Sequence, residues 1–346
     1  MPISLGDLIS RPFRRAALAL SSGRARRRGF NLLDRFDVGW SNRNFEERDF
    51  AWIAELGFDY VRIPLDYRTW TDPGDWRHIR EPDLREIDRA VELGRKHGVH
   101  VCLAFHRAPG YTIATVPEPR DLWTDPEAQD VCALHWRRFA ERFAGRPASD
   151  LSFNLLNEPK GVGPAAHRAV IVRLVETIRS VDPSRPIVCD GREAGAVPAI
   201  ELLDLDVTHG ARGYQPFRLT HHRAEWVRGA DAWPVPAHWP LRDRGSLWDR
   251  KRLWHDAYSD WVTLERLGAR IFVAELGAYR FTPHAVVLAW MTDLLALFRR
   301  AGWGWALWNF RGPFGILDSD RADVRYEPWR GHRLDRALLE VLRADT

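Results

Sequence analysis

Two glutamates stand where apolar, strand-like segments of the chain end. The run at residues 151–156 ends in Asn157 and Glu158, with Pro159 next, and the run at residues 271–274 ends in Glu275. An acid at such a position is costly to desolvate, so its presence suggests a chemical use. Two strand-terminal carboxylates are the pattern expected of a hydrolase that works with an acid pair.

Further polar and aromatic side chains follow other apolar runs in the same way. Arg62 and His106 follow two early runs, a group at residues 209–214 follows a later one, and Trp308 ends the last. Taken singly, Arg62 could be a salt-bridge partner, and His106 or Trp308 could belong to the core. In a parallel barrel, however, the C-terminal ends of all the strands lie at one mouth of the barrel, where active sites are built.

Eight apolar runs alternate with amphipathic segments over nearly the whole chain. Near-continuous apolar strands separated by helices predict a parallel sheet that is buried on both faces. Eight such units predict one α/β domain, a single (β/α)8 TIM barrel. An open, doubly wound sheet is the alternative, disfavoured because no Gly-x-Gly-x-x-Gly turn follows an early strand. The predicted strands are 30–33, 60–64, 100–106, 151–156, 186–189, 205–208, 271–274 and 303–308, and the predicted helices are 44–56, 82–97, 126–143, 165–181, 194–203, 247–267, 283–301 and 333–343.

Composition indicates a soluble globular protein with an ample core. The 346 residues are 45% hydrophobic and 28% charged, with a net charge of only +4. Because arginines and acids are interspersed, a nucleic-acid partner is not expected. The dense basic cluster at residues 24–28 is interpreted as part of a solvated N-terminal arm (residues 1–27) that precedes a catalytic barrel (residues 28–346).

Cysteine usage and hydropathy limit the cellular compartments in which the protein is expected. Cys102, Cys132 and Cys189 are odd in number and widely spaced, which favours buried thiols over disulfides or a zinc site. No cluster of ligand residues has metal spacing, so neither a metal nor another cofactor is expected. No apolar stretch reaches the roughly 18 residues of a membrane span. The short apolar segment at residues 16–20 makes a poor leader, so a cytoplasmic location is predicted, with export by an atypical leader as the alternative.

Tryptophan is unusually frequent, with 17 residues, and many of them stand in loop-like contexts. Indole faces stack well on the apolar faces of sugar rings, while the N–H group offers a polar contact. The alternative is a core and rim that are simply rich in tryptophan. The candidates for sugar stacking are Trp40, Trp123, Trp226 and Trp233.

Several short motifs together resemble glycoside hydrolase family 5, the cellulase-like retaining β-glycosidases built on (β/α)8 barrels. The likeness extends over residues 28–342, and its motifs are specific in combination although each is short. They are Val61-Arg62-Ile63-Pro64, His106-Arg107-Ala108-Pro109-Gly110, Asn157-Glu158-Pro159, Ala274-Glu275-Leu276-Gly277 and Trp305-Ala306-Leu307-Trp308.

The resemblance implies a role for each matched side chain. Glu158 corresponds to the general acid/base, and Glu275 corresponds to the nucleophile. Asn157 corresponds to the residue that bonds the sugar 2-hydroxyl at the cleavage site. Three further matches are Arg62 as the cation beside the nucleophile, Trp308 as the sugar platform and His106 as a polar wall.

The sequence departs from the family at one point. The family commonly carries His-x-Tyr after the sixth strand, with the His beside the acid/base and the Tyr bonded to the nucleophile. If Tyr214 is that tyrosine, Arg212 occupies the histidine position, where a cation would lower the pKa of Glu158. His209 is the alternative source of the imidazole, and the sequence leaves this choice open.

The resulting expectation is a retaining β-glycoside hydrolase that acts on β-linked glucans or gluco-oligosaccharides by double displacement. Transglycosylation on β-glucosides and a non-catalytic carbohydrate-binding barrel are the alternatives. The sequence leaves open the sugar, the linkage, endo or exo action, and the oligomeric state. Neither a nucleic acid nor a membrane is expected as a partner.

Overall fold

In a computed structural model, residues 26–345 form one barrel with eight parallel strands, each buried over most of its length. The strands are β1 (Arg28–Asn31), β2 (Tyr60–Asp66), β3 (His100–Ala108), β4 (Leu151–Asn154), β5 (Ile187–Asp190), β6 (Thr208–Gly213), β7 (Arg270–Leu276) and β8 (Gly304–Leu307).

The sheet is closed. Each strand pairs in parallel with the next along the chain, and β1 pairs with both β2 and β8. Gly29 of β1 lies opposite Tyr60 of β2, while Arg28 lies opposite Trp305 of β8. The predicted single (β/α)8 barrel is therefore confirmed.

Helices surround the barrel, and local sequence sets their ends. Asp125 caps one helix by accepting hydrogen bonds from the backbone N–H groups of Glu127 and Ala128, and Pro126 begins it. Gly98, with a φ of 68°, ends another in the left-handed conformation. The helices are Glu47–Glu55, Glu81–His97, Pro126–Arg142, Pro164–Arg179, Arg192–Gly195, Phe217–Thr220, Arg250–Arg252, Ser259–Arg266, His284–Ala301 and Arg336–Arg343, with a π-helical segment at Leu253–Tyr258 and 3-10 turns at Tyr67–Thr69, Ile200–Leu202 and Ala230–Ala232.

The loops of the described residues contain four short antiparallel hairpins, in each of which two strands pair with each other. In addition, the segment Tyr111–Thr112 pairs antiparallel with the end of β3. The four hairpins join Arg35–Asp37 to Ser41–Asn42, Thr71–Asp72 to Asp75–Ile79, Leu241–Asp243 to Ser246–Trp248, and Glu327–Trp329 to His332–Leu334.

The sixth strand differs from its predicted position. The apolar residues at 205–208 predict a strand there, but β6 occupies Thr208–Gly213. Two of its positions require glycine because neighbours come close: a Cβ at Gly210 would lie 2.3 Å from Asp190, and one at Gly213 would lie 2.5 Å from Leu276. Glycine, alanine and polar residues make up this strand, so the sequence shows no apolar run there. The short helix predicted at 194–203 is likewise replaced by two brief turns.

The barrel interior has an apolar layer below a polar one. Tyr60, Cys102, Val188 and Ala306 form the apolar layer, with Phe272 packed against it. Because side chains alternate along a strand, residues two positions further on point into the barrel as well. On β2 and β5 these are Arg62 and Asp190, which begin the polar layer at the mouth.

Three remaining expectations concern the N-terminal arm, the cysteines and membrane spans. Residues 1–25 of the predicted arm lie outside the described residues, whereas Arg26 forms an ion pair with Asp345 at 3.2 Å. Cys102, Cys132 and Cys189 are buried and unpaired, as predicted. Within residues 26–345, every helix is too short or too polar to span a bilayer.

Candidate active site

Arg62 lies at the centre of the polar layer and is fully buried. Its Nε donates to Asn154 Oδ1 at 2.8 Å, and its Nη2 donates to Asn157 Oδ1 at 2.8 Å. Its Nη1 donates to Asn31 Oδ1 at 3.1 Å and to Glu275 Oε1 at 2.6 Å. A buried guanidinium is tolerated only when its donors are satisfied and its charge is balanced, and both conditions hold here.

Glu275 reaches the same centre from the end of β7. Besides Arg62, it accepts a hydrogen bond at Oε2 from the Tyr214 hydroxyl, at 3.0 Å. Nη2 of Arg212 lies 3.4 Å from Oε1. Every one of these groups is a donor, and an ionised carboxylate supplies the acceptors that they require.

Glu158 follows β4 in an unusual backbone conformation, with a φ of 52°. Its N–H donates to Asp190 Oδ2 at 3.0 Å, and its carbonyl accepts from the Tyr111 hydroxyl at 2.7 Å. Left-handed backbone at a non-glycine residue costs about 1–3 kcal/mol and persists where the surroundings hold it. Those two bonds turn the Glu158 side chain toward Arg212, whose Nε donates to Oε1 at 2.8 Å.

Burial decides the charge state of Glu158. Its side chain is only 15% exposed, and burial raises its pKa to about 7, against the opposing effect of Arg212 and with support from the Glu275 charge. The expectation that a cation at position 212 lowers this pKa is correct in sign, but desolvation outweighs it. A carboxyl group with this pKa can hold a proton near neutral pH and release it.

The structure resolves the choice between Arg212 and His209. Residues on β6 alternate, so Gly210 and Arg212 face the barrel interior while His209 faces the helices. Burial lowers the pKa of His209 to about 4, and the smaller effects on it come from residues outside the site: Arg270, Glu201 and His167. Arg212 therefore takes the place beside Glu158, and His209 is not part of the site.

Asp190 is a member of the site that the sequence interpretation missed. It accepts hydrogen bonds from the backbone of Glu158, from Asn154 Nδ2 at 3.1 Å and from Arg212 Nη2. It is the last residue of β5, at the same face of the barrel as Glu158 and Glu275, and Gly191 follows it. The same strand-end signal would have found it if the fifth run had been read one residue further.

Two buried polar atoms in the site have no hydrogen-bond partner among the described residues. They are Nδ2 of Asn157 and Nδ1 of His106. Burial, with Arg62 and Arg212 nearby, holds the pKa of His106 well below its usual value, so the ring is neutral. Leaving a buried polar atom unpaired costs about 1–3 kcal/mol. Both atoms are therefore suited to a polar ligand such as a sugar hydroxyl.

Trp308 borders these atoms. Its ring stacks against His106 with centroids 5.7 Å apart, and Phe36 lies edge-on to it at 5.5 Å. Trp40 packs on Phe36 at 5.2 Å and is 66% exposed, so it stands on the rim next to Trp308.

The other predicted stacking residues are more dispersed. Trp123 packs at 5.1 Å on Tyr111, the residue that holds the Glu158 backbone. Trp226, 56% exposed, packs at 4.8 Å on Tyr279, in an aromatic cluster that Trp308 also touches. Trp233 lies apart, in a cavity of about 300 Å³ that none of the central polar residues lines.

A closed (β/α)8 barrel with a carboxylate pair at its mouth is the arrangement of a glycoside hydrolase, an enzyme that hydrolyses O-glycosyl bonds. Comparison with known proteins identifies the family to which the chain belongs. The sequence model of the family Cellulase (glycosyl hydrolase family 5) matches residues 24–312. The chain belongs to this family, whose members are retaining β-glycoside hydrolases.

Relatives within the family are similar over most of their lengths. Endoglucanase C of Acetivibrio thermocellus is 25% identical over 305 residues, covering 81% of this chain and 88% of that protein. A crystal structure described as a glycoside hydrolase is 36% identical, with a TM-score of 0.88 over 92% of this chain and 99% of that one. Endoglucanase Cel5A of Thermotoga maritima is 26% identical, with a TM-score of 0.74 over 91% and 96%. Structures of Cel5A include complexes with cellobiose and with mannotriose.

Proposed function

We propose that this protein hydrolyses β-linked glucans or gluco-oligosaccharides by double displacement, with Glu158 as acid/base and Glu275 as nucleophile. The observation that carries the proposal is the contrast between two neighbouring carboxyl groups. Glu275 is surrounded by the donors Arg62, Tyr214 and Arg212, as a nucleophilic carboxylate requires. Burial gives Glu158 a pKa of about 7, as a proton donor requires.

The proposed first step forms a bond and breaks one. An oxygen of Glu275 attacks the anomeric carbon, the glycosidic C–O bond breaks, and the proton of Glu158 passes to the leaving oxygen. Because Oε1 of Glu158 accepts from Arg212, Oε2 is the atom that carries the proton. In the second step water attacks the same carbon, Glu158 takes its proton, and the ester to Glu275 is released.

The sugar would lie over Trp308, with hydroxyl groups toward Asn157 and His106. The unpaired Nδ2 of Asn157 supports a bond to the 2-hydroxyl, since its Oδ1 already accepts from Arg62 and Arg212 at 2.8 and 2.9 Å. Endoglucanase relatives support a glucan as substrate. The Cel5A complexes make mannan oligosaccharides the second class to test.

The test is a product analysis on β-linked gluco- and manno-oligosaccharides. We expect cleavage of the gluco series, with first-formed products that keep the β configuration by NMR. Glu275→Gln should abolish turnover, while Glu176→Gln, on the exposed face of the helix Pro164–Arg179, should retain it. First-formed products of α configuration would overturn the mechanism. Cleavage of the manno series alone would overturn the substrate, and products longer than the substrate would indicate transglycosylation.

A further inference from the structure

Arg212 contacts three carboxylates at the barrel mouth. Its Nε donates to Glu158 at 2.8 Å, its Nη2 donates to Asp190, and Nη2 lies 3.4 Å from Glu275. The side chain is almost completely buried. Burial alone would lower its pKa, but the carboxylates around it raise the pKa well above the usual value, so Arg212 stays charged throughout.

The surrounding chain is shaped to hold the pair of Arg212 and Asp190. A Cβ at Gly195 would lie 2.5 Å from Cγ of Arg212, and Gly195 itself has a φ of 74°. A Cβ at Gly210 would lie 2.3 Å from Oδ1 of Asp190. Two glycines on different elements thus make room for the two halves of one ion pair.

The ion pair of Arg212 and Asp190 contributes to the charge balance of the site. With Glu158 protonated, the cations Arg62 and Arg212 balance the anions Glu275 and Asp190. When Glu275 becomes an ester its charge disappears, and Glu158, having given up its proton, becomes the second anion. The cluster is neutral in both states, although the negative charge has moved from one glutamate to the other.

We propose that Arg212 is a positioning residue for this charge movement: it is the fixed counterion of Glu275 before the glycosyl-enzyme forms and of Glu158 afterwards. The inference rests on the proposed function. A fixed dipole or ion of this kind stabilises relocated charge without waiting for solvent to reorganise. Its main effect falls on the second displacement, since it keeps Glu158 ionised and able to accept a proton from water. Arg62 and Tyr214 still serve Glu275 when Arg212 is removed.

Several charged or titratable groups surround Glu158 and enter any pH dependence. On β6, Arg212 lowers its pKa, while Glu275 of β7 and Asp190 of β5 raise it. Two phenols complete the surroundings, and burial raises the pKa of both, so they stay neutral in the working range. They are Tyr111 and Tyr214.

The test uses a dinitrophenyl β-cellobioside, whose leaving group departs without a proton, so that kcat reports the second displacement. In Arg212→Gln, Glu158 of the glycosyl-enzyme should hold its proton to higher pH. In the pH profile of kcat, we expect the acidic limb to move to higher pH by about one unit or more. At a fixed pH on that limb, kcat should fall at least about tenfold. The value of kcat/KM, which reports the first displacement, should fall only about threefold or less.

Conservative substitution separates charge from shape. Arg212→Lys keeps a cation and should hold the acidic limb within about half a pH unit of the wild type. If Arg212→Gln fails to fold, the double variant with Asp190→Asn removes both charges of the pair together. The acidic limb of its pH profile should shift in the same direction by a smaller amount, because the effect of Arg212 on the pKa of Glu158 exceeds that of Asp190.

An unmoved acidic limb in Arg212→Gln or in the double variant would overturn the proposal. A parallel fall of kcat and kcat/KM would overturn it too, since a merely structural role moves both. These outcomes differ from a failure of the proposed function, in which the wild type itself would not turn over the cellobioside or Glu275→Gln would keep full activity.

Discussion

Replacing Glu158 by glutamine should stabilise the folded protein at neutral and alkaline pH while abolishing its use as an acid. The glutamine amide has the shape and neutrality of the protonated acid, and its oxygen can still accept from Nε of Arg212. The wild-type carboxyl group, in contrast, must ionise in a mostly buried site whose neighbours include Glu275 and Asp190. The native state resists that ionisation, whereas the unfolded chain does not.

The magnitude follows from the pKa. An unfolded glutamate has a pKa near 4.5, and Glu158 in the native state has one of about 7. At ~1.4 kcal/mol per pH unit, this difference lowers wild-type stability by about 3 kcal/mol once both states are ionised. Below pH 4.5 both states keep the proton and nothing is lost. Between pH 4.5 and 7 the native state binds the extra proton, so wild-type stability falls as pH rises, and above 7 the deficit is constant.

The assay is urea unfolding of both proteins between pH 4 and pH 8, with the difference in free energy of unfolding taken at each pH. That difference cancels the titration of every group common to the two proteins. Glu275→Gln is a control within the same site, and it should instead destabilise, because it weakens the balance of buried Arg62. Glu176→Gln on a helix surface should change stability by no more than about 0.5 kcal/mol.

A Glu158→Gln variant no more stable than the wild type at pH 8 would refute the reasoning. So would a stability difference that stays constant from pH 4 to pH 8, since it would owe nothing to ionisation. In either case burial could not be what sets the pKa of Glu158.

Three further results are expected. For substrates with poor leaving groups, kcat/KM should fall about tenfold per pH unit above about pH 7, as Glu158 loses its proton; a profile flat to pH 9 would contradict this. Arg62→Met should lower the free energy of unfolding by roughly 3–5 kcal/mol, because it removes the cation nearest to buried Glu275 together with the donors to Asn31 and Asn154, and a loss below about 1 kcal/mol in urea unfolding would count against that role. Asn157→Ala should cut kcat/KM at least about tenfold on a β-glucoside but far less on its 2-deoxy analogue; equal losses on both would exclude the bond to the 2-hydroxyl.

Much of this fold could be predicted because a barrel strand buried on both faces must be apolar. The runs before Glu158 and Glu275 are of this kind, and each ends where the strand opens onto the mouth. An acid that interrupts such a run is conspicuous, so the carboxylate pair could be found without a structure. Its cation Arg62 was recognisable for the same reason, as the one charge within the apolar run at residues 60–64.

The same logic fails where side-chain contacts demand small residues. Strand β6 contains Gly210 and Gly213 because Asp190 and Leu276 come close, so it carries no apolar signature. When the first and last residues of β6 are unknown, the alternation of inward and outward positions cannot be applied to it. The sequence therefore does not distinguish His209 from Arg212 as the residue beside Glu158. Once the strand is located, that alternation alone assigns Arg212 to the barrel interior.

The charge state of Glu158 could not be predicted either. Sequence shows which charges can approach it, and Arg212 alone suggests a lowered pKa. The raised pKa comes from desolvation, which depends on how completely the surrounding chain encloses the carboxyl group. Such enclosure is a property of the packed barrel, and no short motif encodes it.

The division of labour between Glu158 and Glu275 is tested most directly by trapping the covalent intermediate. A 2-deoxy-2-fluoro β-cellobioside with a dinitrophenyl leaving group should form the glycosyl-enzyme and release it slowly, because the fluorine disfavours the charge that develops in the second step. Peptide mass spectrometry of the trapped protein should place one fluorosugar on Glu275 and none on Glu275→Gln. A label on Glu158 or Asp190, or an active enzyme that forms no adduct, would contradict the assignment.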